Sequence, residues 1–313
     1  HQISPIDLVV VNLYPFQEIV AKSGVTLEEA LETIDIGGQA ILRAAAKNFR
    51  AVGAVVNPDK YEKVLSELRA TGYLSEQTRE ELALEAFAHI SSYDLAIHAY
   101  LEEVHRHKAK GASPFPLFLQ PIYRRSQDLR YGENPHQRGA LYQEAGARRT
   151  LGVASARQLQ GKELSLNNLA DLDAGWDLML EFEEPTVAII KHQNPCGVAC
   201  GKDLLEAYRK ACACDPTSAY GGVIAVNRPL DETTAKEIVP VFFEAIIAPN
   251  YEARALEALK GKKHLRILEF SAGEGGGQGT TWQLMQISGG MLVQEKDAIL
   301  IREEEMKVVT RKK

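Results

Sequence analysis

Short apolar runs rich in β-branched residues, each followed by helix-period sequence, constrain this chain most. "DLVVVNLY" (7–14) and "AVGAVV" (51–56) come first, then "TVAIIKH", "GGVIAVN", "AIIAPN", "LRILEF" and "GMLVQ". Runs of this length suit buried strands and are too short for helices. Between them lie helical stretches. Thr26 stands three residues before Glu29, a capping box opening "LEEALETI". "DIGG" breaks that helix, "QAILRAAAKNF" forms the next, and "NPD" turns into one around "YEKVLSEL". From Ser75 a long stretch carries apolar residues at three- and four-residue intervals. Strand and helix in alternation predict α/β layers in both halves.

The segment 109–122, "AKGASPFPLFLQPI", concentrates proline, glycine and serine and reads as the domain boundary, with domains at 1–110 and 111–313. "GEGGGQG" (273–279) reads as a flexible surface loop. The chain enters its first strand within a few residues of His1, without an initiator Met, and stops abruptly after "EEEMKVVTRKK". It therefore reads as a piece of a longer protein.

Composition narrows the function classes. The 313 residues are 45% hydrophobic and 25% charged, with a net charge of −6. That balance argues against a nucleic-acid or anionic-membrane partner and leaves room for basic pockets that take small anions. No apolar run approaches the ~18–20 residues of a membrane span, and the expectation is of no secretory leader, since the residues given show no charged-then-apolar pattern. Cys196, Cys200, Cys212 and Cys214 crowd together in a long chain, which is not a disulfide framework. The expectation is a cytoplasmic protein with reduced thiols.

Several clusters could carry chemistry. Asn12 and Tyr14 end the first strand, where ligands collect in open α/β sheets. Asp35 precedes the Gly37–Gly38 pair that starts a helix, with Lys47 at its far end. A capping tyrosine, a helix-capping aspartate and a solvated lysine would equally explain these three. "DLRYGENPHQ" (128–137) packs Arg130, Tyr131, Asn134 and His136 into a binding loop or a plain turn. "GKELSLNNLADLDAGW" sets Asn167, Asn168, Asp171 and Asp173 at a helix start, more than capping needs. In "DPTSAYGG", Tyr220 beside two glycines could stack a planar ligand or sit half-buried in a turn.

"IIKHQNPCGVACG" (189–201) holds the sharpest question. It reads as a strand ending at Lys191–His192, followed by a Pro–Cys–Gly turn. Neighbouring strand residues face opposite ways, so both side chains could serve one site only where the strand gives way to loop. An imidazole can act as base and a lysine can stabilise a developing anion or protonate a leaving group. Zinc deaminases use H-x-E with P-C-x-x-C. Here "HQN" lacks the glutamate and "PCGVAC" is one residue too long, so a catalytic metal is not expected. A nucleophilic Cys196 is the weaker alternative, since small buried cysteines are commoner.

Taken in order, "DLVVVNLYPF", "IDIGGQAILRAAAKN", "DLRYGENPHQ", "GKELSLNNLADLDAGW", "IIKHQNPCGVA", "DPTSAYGGVIAVNR" and "ISGGMLVQ" resemble one family. It is the bifunctional purine-biosynthesis family that joins AICAR transformylase to IMP cyclohydrolase. The resemblance implies a partial methylglyoxal-synthase-like α/β/α domain, then a partial cytidine-deaminase-like α/β/α transformylase domain that uses no catalytic zinc. It implies transfer of a formyl group from the cosubstrate 10-formyltetrahydrofolate to the 5-amino group of AICAR. Formyl-AICAR then closes to IMP with loss of water. By resemblance His192 helps deprotonate the amine, and Lys191 stabilises the oxyanion or protonates the leaving folate nitrogen. Arg130, Tyr131, His136, Asn168, Tyr220 and Glu244 match substrate-binding positions, and Tyr14, Asp35 and Lys47 match cyclohydrolase positions. The resemblance further implies a homodimer and leaves a monovalent cation open. The family's glycine-rich phosphate loop would precede His1, and its last transformylase motifs would follow Lys313. Leu166 stands where tyrosine is usual, and Tyr220 where phenylalanine is usual.

Overall fold

The computed structural model describes residues 4–109, 111–144, 152–270, 282–297 and 306–309. The glycine-rich 273–279 stretch and the extreme ends lie outside the described residues. The chain divides into two compact units, His1–Ile122 and Tyr123–Lys313. Among the described residues no helix is long and apolar enough to cross a membrane.

The first unit runs β1 (Leu8–Val10), α1 (Phe16–Val20), α2 (Leu27–Glu32), α3 (Gly37–Lys47), β2 (Gly53–Val55), α4 (Tyr61–Thr71) and α5 (Glu76–Lys108). Strands β1 and β2 pair in parallel, Leu8 with Gly53 and Val10 with Val55. Helix α3 packs on them: its Leu42, Ala45 and Ala46 meet Ala54, Val56 and the α5 residues Ala83, Ala86 and Ile90 in one core. The capping box is formed: the Glu29 amide donates to Thr26 Oγ1 at 3.2 Å and the Thr26 amide to Glu29 Oε2 at 2.9 Å.

The expected buried strand 7–14 is corrected in length and burial. β1 stops at Val10, because β2 gives way to a turn at Asn57–Pro58 and offers no further ladder partners. Leu8 and Val10 face outward at 36% and 48% exposure, while Val9 and Val11 pack inward. Helix α3 starts at Gly37, within the Gly37–Gly38 pair, and Asp35 Oδ1 accepts the Gly38 amide at 2.7 Å.

The second unit opens with the β3 (Tyr123–Leu129) and β4 (Gly139–Glu144) hairpin, followed by β5 (Arg157–Gln160) and α6 (Leu166–Met179). Next come β6 (Thr186–Lys191), β7 (Asn194–Cys200), α7 (Leu204–Cys214), α8 (Pro216–Ala219), β8 (Val223–Val226) and α9 (Glu232–Ile238). The unit continues with β9 (Ala245–Ala248), α10 (Ala253–Leu259), β10 (Arg266–Glu269) and the hairpin β11 (Trp282–Ile287) and β12 (Gly290–Glu295). A mixed six-stranded sheet has the order β5-β10-β9-β8-β6-β7. Strands β8, β9 and β10 pair in parallel and β7 shares their direction, whereas β5 and β6 run against them.

Strand periodicity sorts the core into two layers. Val187, Ile189, Ile224, Val226, Ile246 and Ile267 face α7, α9 and α10. Ala188, Ile190, Val223, Ala225, Ile247 and Leu268 face Leu172, Trp176 and Met179 of α6. Each fully buried aliphatic side chain contributes about 1.5–3 kcal/mol, so covering both faces explains the unbroken apolar runs.

Candidate active-site edge

Register places one set of loops along a single edge of the large sheet. Ile190 of β6 pairs with Val223, Val223 and Arg266 each pair with Ala245, and Gln160 pairs with Ile267. The end of β6, the starts of β8, β9 and β10 and the end of β5 therefore share that edge. The N-terminus of α6 joins it through its contacts with the β6–β7 turn.

At the centre lies a correction to the sequence reading. The turn is at His192–Gln193, whereas Pro195, Cys196 and Gly197 lie within β7, paired antiparallel to β6. His192 and Gln193 have φ of 55° and 60°, the positive values a two-residue hairpin of type I′ requires. Asn-Gly usually fills such a turn, so His-Gln carries no hairpin signal. β7 is the edge strand, where proline is tolerated.

The turn is held from three sides. Asp171 Oδ1, on the second turn of α6, accepts the Gln193 amide at 2.7 Å. Asn194 Nδ2 donates to the His192 carbonyl at 2.8 Å. Lys191 Nζ donates to the Tyr220 carbonyl at 3.0 Å, tying the strand end to the segment before β8. Burial pushes the Asp171 carboxyl up, and the Gln193 amide and His192 oppose that rise.

Tyr220 is exposed and stacks on Phe242, ring centroids 5.4 Å apart. The preceding turn is organised by Asp215, which accepts from the amides of Thr217 and Ser218 and from Ser218 Oγ at 2.6 Å. The Ser218 hydroxyl and amide hold the Asp215 carboxyl below the usual aspartate range.

Glu244 precedes β9 and pairs with Arg266, Nη1 to Oε2 at 2.7 Å. Arg266 is buried and also donates from Nε to the Glu163 carbonyl at 3.2 Å. Sequence reasoning missed Arg266, Asp171's hold on the turn and Phe242. The available signal for Arg266 was a lone cation inside the apolar run "LRILEF".

The 130–138 loop joins β3 to β4 and is knit to the start of α6. The Arg130 amide donates to the Leu164 carbonyl at 3.2 Å, and Asn167 Nδ2 to the Glu133 carbonyl at 3.3 Å. The Arg130 guanidinium lies 5.3 Å from the Tyr131 ring centroid, and His136 is exposed. Asn168 is buried in a capping box: its backbone amide donates to Ser165 Oγ, and its Oδ1 accepts the Ser165 amide. Among the described residues its Nδ2 makes no hydrogen bond.

In the first unit, Asn12 and Tyr14 follow the C-terminal end of β1, and Asp35 stands just before α3. Tyr14 is exposed, and the Asp35 amide donates to Tyr93 Oη at 2.9 Å. Lys47 sits exposed at the other end of α3, an 11-residue helix about 16 Å long.

A deaminase-type zinc site does not fit the cysteines. Cys196 and Cys200 occupy one extended strand, about 13 Å apart at ~3.3 Å per residue. Two thiolates on one zinc, each ~2.3 Å away, cannot be separated by that distance. Cys196 Sγ instead faces the Ile189 carbonyl at 3.4 Å, and burial pushes its thiol up. Among the described residues no three His, Cys, Asp or Glu side chains gather to hold a metal.

Residues 45–313 match the family model of the AICARFT/IMPCHase bienzyme. A bifunctional purine biosynthesis protein PurH from a Thermoanaerobacter species is 46% identical over 312 residues, covering 100% of this chain and 59% of its own length. PurH of Anaeromyxobacter dehalogenans is 48% identical, covering 99% of this chain and 60% of its own. PurH of Myxococcus xanthus is 49% identical, covering 96% and 58%. The crystal structure of ForH aligns with 30% of this chain and 48% of its own, at 37% identity and a TM-score of 0.27. The chain thus spans about three-fifths of the length of the curated relatives it matches. On the strength of the family match and these identities, it belongs to the AICARFT/IMPCHase bienzyme family.

Proposed function

We propose that the second unit is the larger part of an AICAR transformylase, and the first unit part of an IMP cyclohydrolase, acting in purine biosynthesis. The observation that carries the reading is the Lys191–His192 strand end, fixed in a left-handed turn on the edge shared by Tyr220, Glu244 and the 130–138 loop. Three layers with α6 on one face and α7, α9 and α10 on the other suit the cytidine-deaminase-like fold the resemblance implies. The β–α–β arrangement of the first unit is compatible with a methylglyoxal-synthase-like domain.

The exocyclic amine of AICAR is a poor nucleophile because its lone pair is shared with the ring. His192 takes a proton from it as nitrogen attacks the formyl carbon of 10-formyltetrahydrofolate. The carbonyl oxygen becomes an oxyanion, and the Lys191 ammonium stabilises it. Collapse breaks the bond to the folate nitrogen, which takes up the proton His192 removed from the amine and leaves as tetrahydrofolate, and formyl-AICAR remains. Tyr220 offers an exposed ring for stacking. Arg130, Tyr131, His136, the free Asn168 Nδ2–H and Glu244 serve as orienting contacts.

For ring closure, the carboxamide nitrogen of formyl-AICAR attacks the formyl carbon and water departs. Tyr14, just after β1, and Asp35, just before α3, are residues the resemblance assigns to this step. Lys47 stands apart, and its role rests on the resemblance. A homodimer in the cytoplasm completes the reading.

The test is direct. Purified full-length protein supplied with AICAR and 10-formyltetrahydrofolate should release tetrahydrofolate and then IMP. Saturable AICAR binding without tetrahydrofolate release would instead mark a non-catalytic nucleotide binder.

A further inference from the structure

We propose that Asp171 is a positioning residue for formyl transfer, holding the His192–Gln193 turn in the conformation that presents Lys191 and His192. The proposal rests on the reading of those two residues as the acid–base pair. Its basis is geometric. Two consecutive non-glycine residues with φ of 55° and 60° cost about 1–3 kcal/mol each, and persist only where the surroundings over-determine them. The β6–β7 ladder closes the turn from one side, pairing Lys191 with Asn194. From the other side Asp171 Oδ1 takes the Gln193 amide at 2.7 Å, a charge-assisted hydrogen bond.

The placement explains a surplus. Ser165 and Asn168 already cap α6, so Asp171 is not needed to start the helix. It lies one turn further in, half-buried, with its carboxylate on the turn. Without it, Gln193 would relax toward negative φ and swing His192 with it. A displacement of about 1 Å at a reacting group can cost on the order of 10²-fold in rate.

The experiment compares Asp171→Ala, Asp171→Asn, Gln193→Gly and the double variant Asp171→Ala/Gln193→Gly in the full-length protein. Asp171→Ala should lower formyl-transfer kcat by about 10- to 100-fold while KM for AICAR changes much less. Asp171→Asn keeps an oxygen acceptor and should stay near wild type. Glycine accepts positive φ without support, so Gln193→Gly should be close to neutral alone and restore most of the lost kcat in the double variant. If Asp171→Asn falls as far as Asp171→Ala, or glycine gives no rescue, the positioning role is overturned. Hydrogen exchange of the Gln193 amide reads the clamp independently of turnover. Faster exchange in Asp171→Ala supports it even if formyl transfer proves absent, and unchanged protection refutes it.

Discussion

Arg266 donates to Glu244 at 2.7 Å where β9 and β10 begin, and the guanidinium is buried while the carboxylate is partly open to solvent. The asymmetry sets the direction of the energetics. Glu244→Ala leaves a buried cation short of its partner, and should cost about 1–3 kcal/mol in urea unfolding. It should also weaken AICAR binding in whatever fraction stays folded. Arg266→Lys cannot reproduce the donation from both Nε and Nη1, so it should lose a similar amount. Unchanged stability in both variants would show the pair to be incidental.

His192→Ala should lower formyl-transfer kcat by roughly 10²- to 10⁴-fold, the range for a lost general base. Lys191→Met keeps the stem, removes the charge and should lose a comparable factor. AICAR Kd should move much less than kcat, since the effect belongs to the transition state. Near-normal kcat in both variants would make the pair structural.

Cys196→Ser should retain most activity, and metal analysis should find no stoichiometric zinc. The reason is the extended spacing of Cys196 and Cys200 along β7. Stoichiometric zinc bound through these thiols would require β7 to be broken and would overturn the sheet described here.

Gly197 tests the packing that holds the hairpin. A Cβ added there would overlap the Ala211 carbonyl oxygen of α7, a backbone group that cannot step aside. Gly197→Ala should therefore destabilise the second unit by about 3 kcal/mol or more, seen as a lower urea midpoint. Gly261→Ala, where nothing lies within 4 Å, is the matched control and should be near neutral.

Asp215 predicts an acid limb. Its carboxyl is held low in the folded state, chiefly by the Ser218 hydroxyl and then the Ser218 amide. A depressed folded value means the stabilisation is fully present above the ordinary aspartate range, ~3.9, and is lost as pH falls below it. Asp215→Ala should lower Tm at neutral pH and flatten the fall in Tm below about pH 4. Parallel Tm–pH curves for wild type and variant would count against this account.

Local signals in the chain settled the class of the fold. Apolar β-branched runs such as "TVAIIK" demand cover on both faces, and the capping pair Thr26–Glu29 and the Ser75 cap fix helix starts by chemistry within four residues. The candidate-site motifs stood out in the sequence as dense polar loops flanking the apolar strand runs. What the sequence could not supply was the partner of each group. Arg266 and Glu244 are 22 positions apart, and so are Asp171 and Gln193; the order of β9 and β10 joins the first pair and the packing of α6 on the sheet joins the second. The His192–Gln193 turn escaped because its positive φ values are imposed by the β6–β7 register and Asp171, against the local preference of both residues.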